Sequence, residues 1–361
     1  MKKVKVSLTT RSYCILVGSG TLNSLAEELA KLGLKGKVLM VTNTTVEPLY
    51  GKILIDELTS SGYAVSSLVL PDGENFKSLE TTAQIYDAIL EAGLDRQGII
   101  LALGGGVIGD MAGFAAATYM RGINFVQVPT TLLAQVDASV GGKVAVNHPR
   151  GKNLIGSFYQ PSLVFIDTAT LDTLPVREIL SGLSEVIKYG IITDPELFSY
   201  LEVNVIARGI RGKEFFIDIV EKSCAIKAKV VSRDEREENV RAILNFGHTI
   251  GHGIEAATHY QVFRHGEAVA IGMMGAACIS REMGLISAPE VERIRSLIIS
   301  VGLPVYFSGI AWEEIWYHMQ ADKKAKDGNI NFILPTSIGS VVISPVDPHT
   351  IRKVVESELI R

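Results

Sequence analysis

The sequence has little that would suit a secreted, membrane-embedded or nucleic-acid-binding protein. Its 361 residues include three cysteines, Cys14, Cys224 and Cys278, which are far apart and form no Cys-x-x-Cys pair. This usage argues against a disulfide framework and favours a reducing compartment, so we expect a cytoplasmic protein. No apolar run is long enough for a membrane span, and the alternating amino-terminal segment predicts a strand rather than a signal peptide.

The charge balance excludes a general electrostatic partner. The formal net charge is −4, which gives no overall attraction to nucleic acid or to an anionic membrane surface. Any anion that the protein binds must therefore be held by a local group of cations. Hydrophobic residues make up 47% and charged residues 20%, an ordinary balance for a folded globular chain.

The length and the spacing of apolar residues predict two domains, because single cores stop growing well below this length. Up to about residue 170, short runs of Val, Ile and Leu alternate with helical patterns, which is typical of buried parallel strands joined by helices. These runs cover residues 37–41, 65–70, 99–103, 125–128 and 163–166. After Leu174 and Pro175, amphipathic stretches such as 213–232 and 242–258 predict helices, and residues 329–344 predict a hairpin. We expect an α/β domain with a parallel sheet over 1–174 and a mainly α-helical domain over 175–361.

A glycine-rich turn follows the predicted strand 99–103. Gly104, Gly106 and Gly109 have the GxGxxG spacing, which lets backbone N–H groups and a helix N-terminus approach a pyrophosphate. The same glycines would also suit a turn that only packs a helix on a sheet. The turn follows the third or fourth core strand and has no acid about 20 residues later, so it is not an ordinary Rossmann fingerprint. Polar loops after two other strands, at 71–77 and 129–131, favour a nucleotide site.

Histidines and carboxylates of the second half suggest a metal site. They occur in segments 181–188, 245–252 and 264–267, and His248 and His252 are spaced to share a helix face. Two imidazoles and one carboxylate suit zinc and leave a position open for a substrate oxygen. The alternative is a buried histidine pair with no metal. The spacing does not decide whether His248 acts with His252 or with His265.

Cations accompany these segments. They are Lys143, Lys152, Lys188, Lys227, Arg241, Lys323 and Lys324. The spacing predicts that Arg241, Asn245, His248 and His252 line a single polar stripe along one helix. Such a stripe would suit the wall of a pocket for a metal-bound, anionic substrate. Taken alone, Lys227 is more typical of a solvated helical lysine.

These motifs resemble the 3-dehydroquinate synthase family over essentially the whole chain. The resemblance is carried by segments 72–74, 104–110, 128–135, 137–143, 152–153, 185–188 and 245–252. It implies an amino-terminal α/β NAD-binding domain, a carboxy-terminal helical metal-binding domain and a homodimer in which Arg121 reaches the partner's active site. It also implies that Glu185, His248 and His265 hold one divalent metal ion, zinc or cobalt, which leaves His252 for substrate or proton transfer.

The resemblance implies roles for two further sets of residues. The NAD set comprises Asp72, Gly73, Glu74, Lys77, Gly104, Gly105, Gly106, Asp110, Thr130, Thr131, Lys143 and Lys152. The substrate and proton-transfer set comprises Asp137, Asn153, Lys188, Lys227, Arg241, Asn245 and His252. The chain departs from the family at Asn43, where members usually have an Asp near the adenosine ribose. Asn43 keeps the hydrogen bonding but not the charge, so we expect NAD as the cofactor with a slightly weaker preference over NADP than the family implies.

The activity implied is the conversion of 3-deoxy-D-arabino-heptulosonate 7-phosphate to 3-dehydroquinate and phosphate in the shikimate pathway. It combines transient oxidation by NAD, phosphate elimination, reduction and an internal aldol closure, with Asp137 and His252 as candidates for proton transfer. The alternative is a metal-dependent polyol or glycerol-phosphate dehydrogenase, which would consume NAD. Neither activity involves nucleic acid or a membrane as a partner.

Overall fold

The computed structural model describes residues 1–208, 212–322 and 329–361. Lys323 and Lys324 lie outside these ranges. Contacts divide the chain into two compact units, one of Met1–Leu174 with Phe216–Arg236 and the other of Pro175–Phe215 with Glu237–Arg361. The predicted division assigned all of 175–361 to the second domain, whereas residues 216–236 belong to the first unit. The reason is that the side chains of this helical segment pack on first-unit residues, for example Cys224 on the backbone of Gln135.

The first unit contains nine strands, four complete α-helices and most of a fifth, the helix Lys213–Arg233. The five strands predicted from apolar runs are confirmed to within one or two residues. The strands are β1 (Lys2–Val6), β2 (Tyr13–Gly18), β3 (Val38–Asn43), β4 (Val65–Leu70), β5 (Ile99–Gly104), β6 (Asn124–Pro129), β7 (Lys143–His148), β8 (Gly151–Phe158) and β9 (Leu163–Asp167). The helices are α1 (Leu25–Lys31), α2 (Lys52–Ser60), α3 (Leu79–Glu91) and α4 (Gly106–Thr118).

Seven strands form one sheet in the order β1-β2-β9-β6-β5-β3-β4, in which β1 is antiparallel to β2 and the other pairs are parallel. Hydrophobic clusters cover both faces, one including residues of α1 and α2 and the other residues of α3 and α4. Burial on both faces explains why strands such as β5 are continuously apolar. Strands β7 and β8 form a separate antiparallel hairpin that the apolar pattern did not predict.

The described residues of the second unit are mainly helical apart from one hairpin, as predicted. Its helices are α5 (Val176–Ile192), α6 (Pro195–Arg208), the first residues of α7 (Lys213–Arg233), α8 (His248–Ala257), α9 (His265–Glu282), α10 (Ala288–Val301), α11 (Trp312–Asp322) and α12 (Pro348–Val354). Strands β10 (Ile330–Ser337) and β11 (Ser340–Val346) form the hairpin. Helix α9 is buried along most of its length and packs against α5, α8 and α10. None of the described helices is both long enough and apolar enough to cross a membrane.

Candidate active site

Three side chains from three helices of the second unit converge on one point. Glu185 of α5, His248 of α8 and His265 of α9 each offer a ligand atom, and these atoms all lie within 4.8 Å of one another. The Nε2 atoms of both histidines lie 3.7 Å from Oε1 of Glu185. Glu185 is fully buried and forms an ion pair with buried Lys188. A buried carboxylate with two imidazole nitrogens directed at it is a donor set that fits a divalent cation.

The other nitrogen of each imidazole is held by an acceptor. Nδ1 of His248 lies 3.0 Å from the carbonyl oxygen of Phe246, and Nδ1 of His265 lies 3.4 Å from Oε2 of Glu255. Burial and the ammonium of Lys188 lower the pKa of His248 to about 3, which keeps this ring neutral. Burial also acts to lower the pKa of His265, but hydrogen bonds to Glu185 and Glu255 outweigh it and raise the pKa to about 10. Metal binding at His265 would therefore release a proton.

Glycines allow α8 to approach α9 closely enough to bring the two histidines together. A Cβ on Gly272 of α9 would lie 1.9 Å from the carbonyl oxygen of Gly247, and one on Gly251 of α8 would lie 3.1 Å from the carbonyl oxygen of Ala268. Gly247 has φ +80°, a left-handed conformation that glycine adopts without strain. His248, the first residue of α8, follows it directly. The position of His248 is thus set by backbone contacts.

A similar contact positions His265 against α5. A Cβ on Gly266 would lie 2.1 Å from the carbonyl oxygen of Ser181, and the Gly266 N–H donates to the Ser181 hydroxyl at 3.0 Å. Arg177 of α5 adds a two-pronged pair to Glu267, with N···O distances of 2.6 and 2.7 Å. Glu267 in turn accepts a hydrogen bond from the backbone N–H of Arg264 at the start of α9. These contacts fix the first turn of α9 relative to the helix that carries Glu185.

A second group of potential ligands shares one histidine with the first. His252, Glu255 and His265 also place ligand atoms within 4.8 Å of one another. Glu255 was missed from the sequence, although a signal was present. It follows His252 by three residues and His248 by seven on α8, a spacing that puts all three on one helix face.

The polar stripe predicted along one continuous helix is wrong. Arg241 and Asn245 lie in a separate 3₁₀ helix, Val240–Asn245, and α8 begins only after Gly247. The i, i+4 relation therefore holds for His248 and His252, whose ring centroids are 5.2 Å apart, but not between Asn245 and α8. Arg241 is nevertheless almost fully buried at 2% exposure, and the Asn245 amide donates to Glu237 at 3.1 Å.

Most of the predicted nucleotide residues of the first unit lie at or just after the ends of parallel strands. The amide of Asn43 donates to Asp72 at 2.8 Å, and the Thr45 hydroxyl donates to the other carboxylate oxygen, also at 2.8 Å. Because Asn43 holds Asp72, the end of β3 still has a carboxylate beside it despite the departure from the family pattern. Gly73 has φ +121°, which suits the tight turn after Asp72.

The glycine turn between β5 and α4 is closely packed. A Cβ on Gly105 would lie 3.1 Å from Cγ2 of Thr131, and one on Gly106 would lie 3.3 Å from Cβ of Ala138. The backbone N–H of Thr130 donates to the carbonyl oxygen of Gly104. Helix α4 begins at Gly106, so its amino-terminal N–H groups and the loop after β6 adjoin each other, an arrangement that suits a phosphate group.

A buried ion pair joins two of the predicted nucleotide residues. The ammonium of Lys77 lies 2.6 Å from Oδ2 of Asp110 and also donates to the side chain of Asn153. Burial raises the pKa of Asp110, and Lys77 acts against that increase. Asn153 lies in β8 with φ +56°, a conformation that Asn tolerates better than most residues.

The hairpin of β7 and β8 carries Lys143, Lys152 and Asn153, and Asn147 ties it to the loop after β4. The Asn147 amide donates to Glu74 at 2.7 Å, its side-chain oxygen accepts from the backbone N–H of Asn153 at 2.9 Å, and its own backbone N–H donates to the carbonyl oxygen of Lys77 at 2.8 Å. Lys152 is 3.9 Å from Glu74. No sequence signal had singled out Asn147.

Lys227 contacts Asp137 within the first unit. Its ammonium lies 2.8 Å from Oδ1 and 2.6 Å from the backbone oxygen of Asp137. Lys227 is 6% exposed, so it is not a solvated surface lysine. Arg121, by contrast, is exposed, with φ +66° in the turn Tyr119–Arg121.

The fold recurs in solved synthases. The chain superposes on 2-deoxy-scyllo-inosose synthase complexed with carbaglucose-6-phosphate, NAD+ and Co2+ with a TM-score of 0.91 and 27% identity, covering 99% of this chain and 100% of that chain. It superposes on the 2-epi-5-epi-valiolone synthase ValA from Streptomyces hygroscopicus subsp. jinggangensis 5008, with NAD+ and Zn2+ bound, with a TM-score of 0.87 and 28% identity, covering 97% and 98%. The fold is thus one used by synthases that bind NAD+ and a divalent metal.

Sequence comparison identifies one family within this class of synthases. Residues 67–181 match the model of the 3-dehydroquinate synthase N-terminal domain, and residues 182–325 match that of the C-terminal domain. The chain is 53% identical over 339 residues to the 3-dehydroquinate synthase of Geobacter sp. (strain M21), covering 94% of each chain. The chain therefore belongs to the 3-dehydroquinate synthase family, a family of enzymes.

Proposed function

We propose that this chain converts 3-deoxy-D-arabino-heptulosonate 7-phosphate to 3-dehydroquinate and phosphate. The observation that carries the proposal is the convergence of Glu185, His248 and His265 in a chain that is 53% identical to a named 3-dehydroquinate synthase. The alternative, a polyol or glycerol-phosphate dehydrogenase, shares the need for metal and NAD. It gains no support from the relatives at about half identity, which are named as synthases.

We assign Glu185, His248 and His265 as the ligands of one divalent ion, zinc or cobalt. Both imidazoles direct Nε2 toward the same carboxylate oxygen and have Nδ1 next to an acceptor, which is the usual arrangement of metal-binding histidines. When bound, the metal would polarise substrate hydroxyls as a Lewis acid, and NAD would accept and return a hydride.

The first-unit residues would bind NAD. The narrow turn at Gly104, Gly105 and Gly106 lets the phosphates approach the start of α4, next to Thr130 and Thr131. The loop of Asp72, Gly73, Glu74 and Lys77 and the hairpin lysines, Lys143 and Lys152, would surround the rest of the cofactor. Asp110 supports this arrangement through its ion pair with Lys77.

Buried cations would hold the anionic groups of the substrate. Lys188 and Arg241 are each 2% exposed, and a guanidinium can bind a carboxylate or phosphate with two parallel hydrogen bonds. Asn153 and Asn245 would add neutral hydrogen bonds. Lys227 orients the Asp137 carboxylate by contacting it directly. Asp137 and His252 are the candidates for proton transfer.

We further propose that the active protein is a homodimer in which Arg121 reaches the partner's site. The proposal is supported by the exposure of Met120 and Arg121 on a turn in which both residues have positive φ. A left-handed conformation at two successive non-glycine residues is uncommon and tends to occur at functional positions. Analytical ultracentrifugation should give the mass of two chains, and the mass of one chain would contradict the proposal.

The reaction itself is tested by phosphate release. Purified protein supplied with the heptulosonate phosphate, NAD and Co²⁺ or Zn²⁺ should release phosphate, while the absorbance of NADH should not rise during steady turnover because the hydride is returned in each cycle. Omission of either NAD or the metal should stop the release. NADH formed in proportion to product would instead identify a dehydrogenase.

A further inference from the structure

His265 lies between two carboxylates, and only one of them belongs to the assigned ligand set. Its Nε2 atom is 3.7 Å from Oε1 of Glu185, and its Nδ1 atom is 3.4 Å from Oε2 of Glu255. Glu255 lies in the last turn of α8, with its side chain 8% exposed. Both acids are therefore buried, and each faces a different nitrogen of the same ring.

In a neutral imidazole the two nitrogens have different roles. One carries a proton and donates it, and the other has the lone pair that a metal needs. When His265 has lost one proton to bind a metal and its Nδ1 still donates to Glu255, the lone pair is on Nε2, which faces Glu185. If instead Nδ1 binds a cation together with His252 and Glu255, the contact with Glu255 is no longer a hydrogen bond. The two ligand groups thus compete for one ring.

His248 indicates which assignment is correct. Its Nδ1 lies 3.0 Å from the Phe246 carbonyl oxygen, which has no proton to donate, so Nδ1 must be the donor. Its lone pair is then on Nε2, which is 3.7 Å from the same Glu185 oxygen that faces Nε2 of His265. His265 would likewise have its lone pair on Nε2, directed at Glu185, if Glu255 accepts a hydrogen bond from its Nδ1 as the Phe246 carbonyl oxygen does from Nδ1 of His248.

We propose that Glu255 is a positioning residue for the metal centre, accepting the Nδ1–H hydrogen bond of His265 and so directing its Nε2 toward the ion. This role rests on the proposed metal ligands and adds to them a residue that does not touch the metal. An acceptor of this kind fixes the tautomer and the ring orientation and makes the ligand more basic, and its loss typically weakens metal binding 10- to 100-fold.

The test measures metal affinity rather than turnover. Metal-free wild type, Glu255→Ala and Glu255→Gln are titrated with Co²⁺ in competition with a chelator, and the visible absorption bands of bound Co²⁺ are recorded. Glu282→Gln is the matched control, because Glu282 lies at the far end of α9 and pairs with surface Lys353. Circular dichroism and thermal unfolding of the metal-free proteins check that each variant is folded.

We expect Glu255→Ala to bind Co²⁺ about 10- to 100-fold more weakly than wild type, still at one equivalent per chain. Glu255→Gln should recover part of the affinity, because its amide oxygen can accept the same hydrogen bond without the charge. If the alanine variant does not fold, the glutamine variant is used for the test. Its affinity for Co²⁺ should then be at least about threefold lower than that of wild type, and the absorption bands of the bound Co²⁺ should lie close to those of wild type.

Two results would overturn the proposal. The first is affinity within about threefold of wild type in a folded Glu255→Ala. The second is the binding of two equivalents of Co²⁺ by wild type and of only one equivalent by each Glu255 variant. Glu255 would then be a metal ligand. Because the assay contains neither NAD nor substrate, failure of the proposed reaction would appear separately, as absent phosphate release by a protein whose metal affinity still depends on Glu255.

Discussion

The contact between Gly272 and Gly247 gives a sharp test of how the metal centre is built. A Cβ added at Gly272 would lie 1.9 Å from the Gly247 carbonyl oxygen, about 1.5 Å closer than an ordinary contact of roughly 3.4 Å. The obstacle is backbone, so Gly272→Ala must push α8 away from α9. Zinc ligands tolerate deviations of only about 0.2 Å, and His248 is the residue next to Gly247. A shift approaching 1 Å would therefore remove one ligand from the centre.

We expect Gly272→Ala to lower the affinity for Zn²⁺ or Co²⁺ at least 10-fold and to cost about 1–3 kcal/mol of stability through overpacking. Chelator competition and thermal unfolding measure the two effects. Gly275→Ala is the matched control on the same helix, because its Cβ would meet only the ends of the Ile250 and Leu359 side chains, which can rotate away. Equal affinity in Gly272→Ala and wild type, or equal losses in both variants, would refute the reasoning.

Other expected outcomes concern the first unit. Asn43→Asp places a second carboxylate within hydrogen-bonding distance of Asp72, so it should lower the free energy of unfolding, measured in urea at neutral pH, by about 1–3 kcal/mol. The added substitution Asp72→Asn should restore the stability. Unchanged stability of the single variant Asn43→Asp would contradict the pairing of Asn43 with Asp72. Asn147→Ala frees the hairpin from the loop after β4 and should weaken NAD binding about 5- to 30-fold in calorimetry while metal affinity stays constant; equal losses of both would indicate general misfolding. Burial raises the pKa of Cys224 to about 12, so under native conditions iodoacetamide should label the partly exposed Cys14 and spare Cys224, as peptide mass spectrometry can check; rapid native labelling of Cys224 would contradict its burial.

The sequence by itself determined the elements whose pattern is local. The central strands are buried on both faces, so their apolar runs are continuous and can be recognised without a partner strand. The glycine turn after β5 and the long amphipathic helix α7 are also local patterns. The hairpin of β7 and β8 was not predicted because β8 is largely exposed, and its residues show no regular alternation.

Gly247 is a local signal for the helix break before α8, but the helical periodicity of the surrounding residues obscured it. Residues 242–258 are compatible with helical spacing throughout, but Gly247 adopts φ +80° and separates the 3₁₀ helix of Arg241 and Asn245 from α8. Glycine in a left-handed conformation is a common way to end a helical segment. Spacing arguments that cross such a glycine fail, as the predicted stripe did.

The composition of the metal site was decided only by tertiary structure. Spacing makes His248 and His252 neighbours on α8 and treats His265 as an equal alternative. It is the close approach of α8 and α5 to α9, at Gly272 and Gly266, that brings His265 and Glu185 to His248. The assignment of Glu255 depends on which nitrogen of His265 faces which acid. That depends on how three helices pack, because no local pattern fixes the direction of a ring contributed by a different helix.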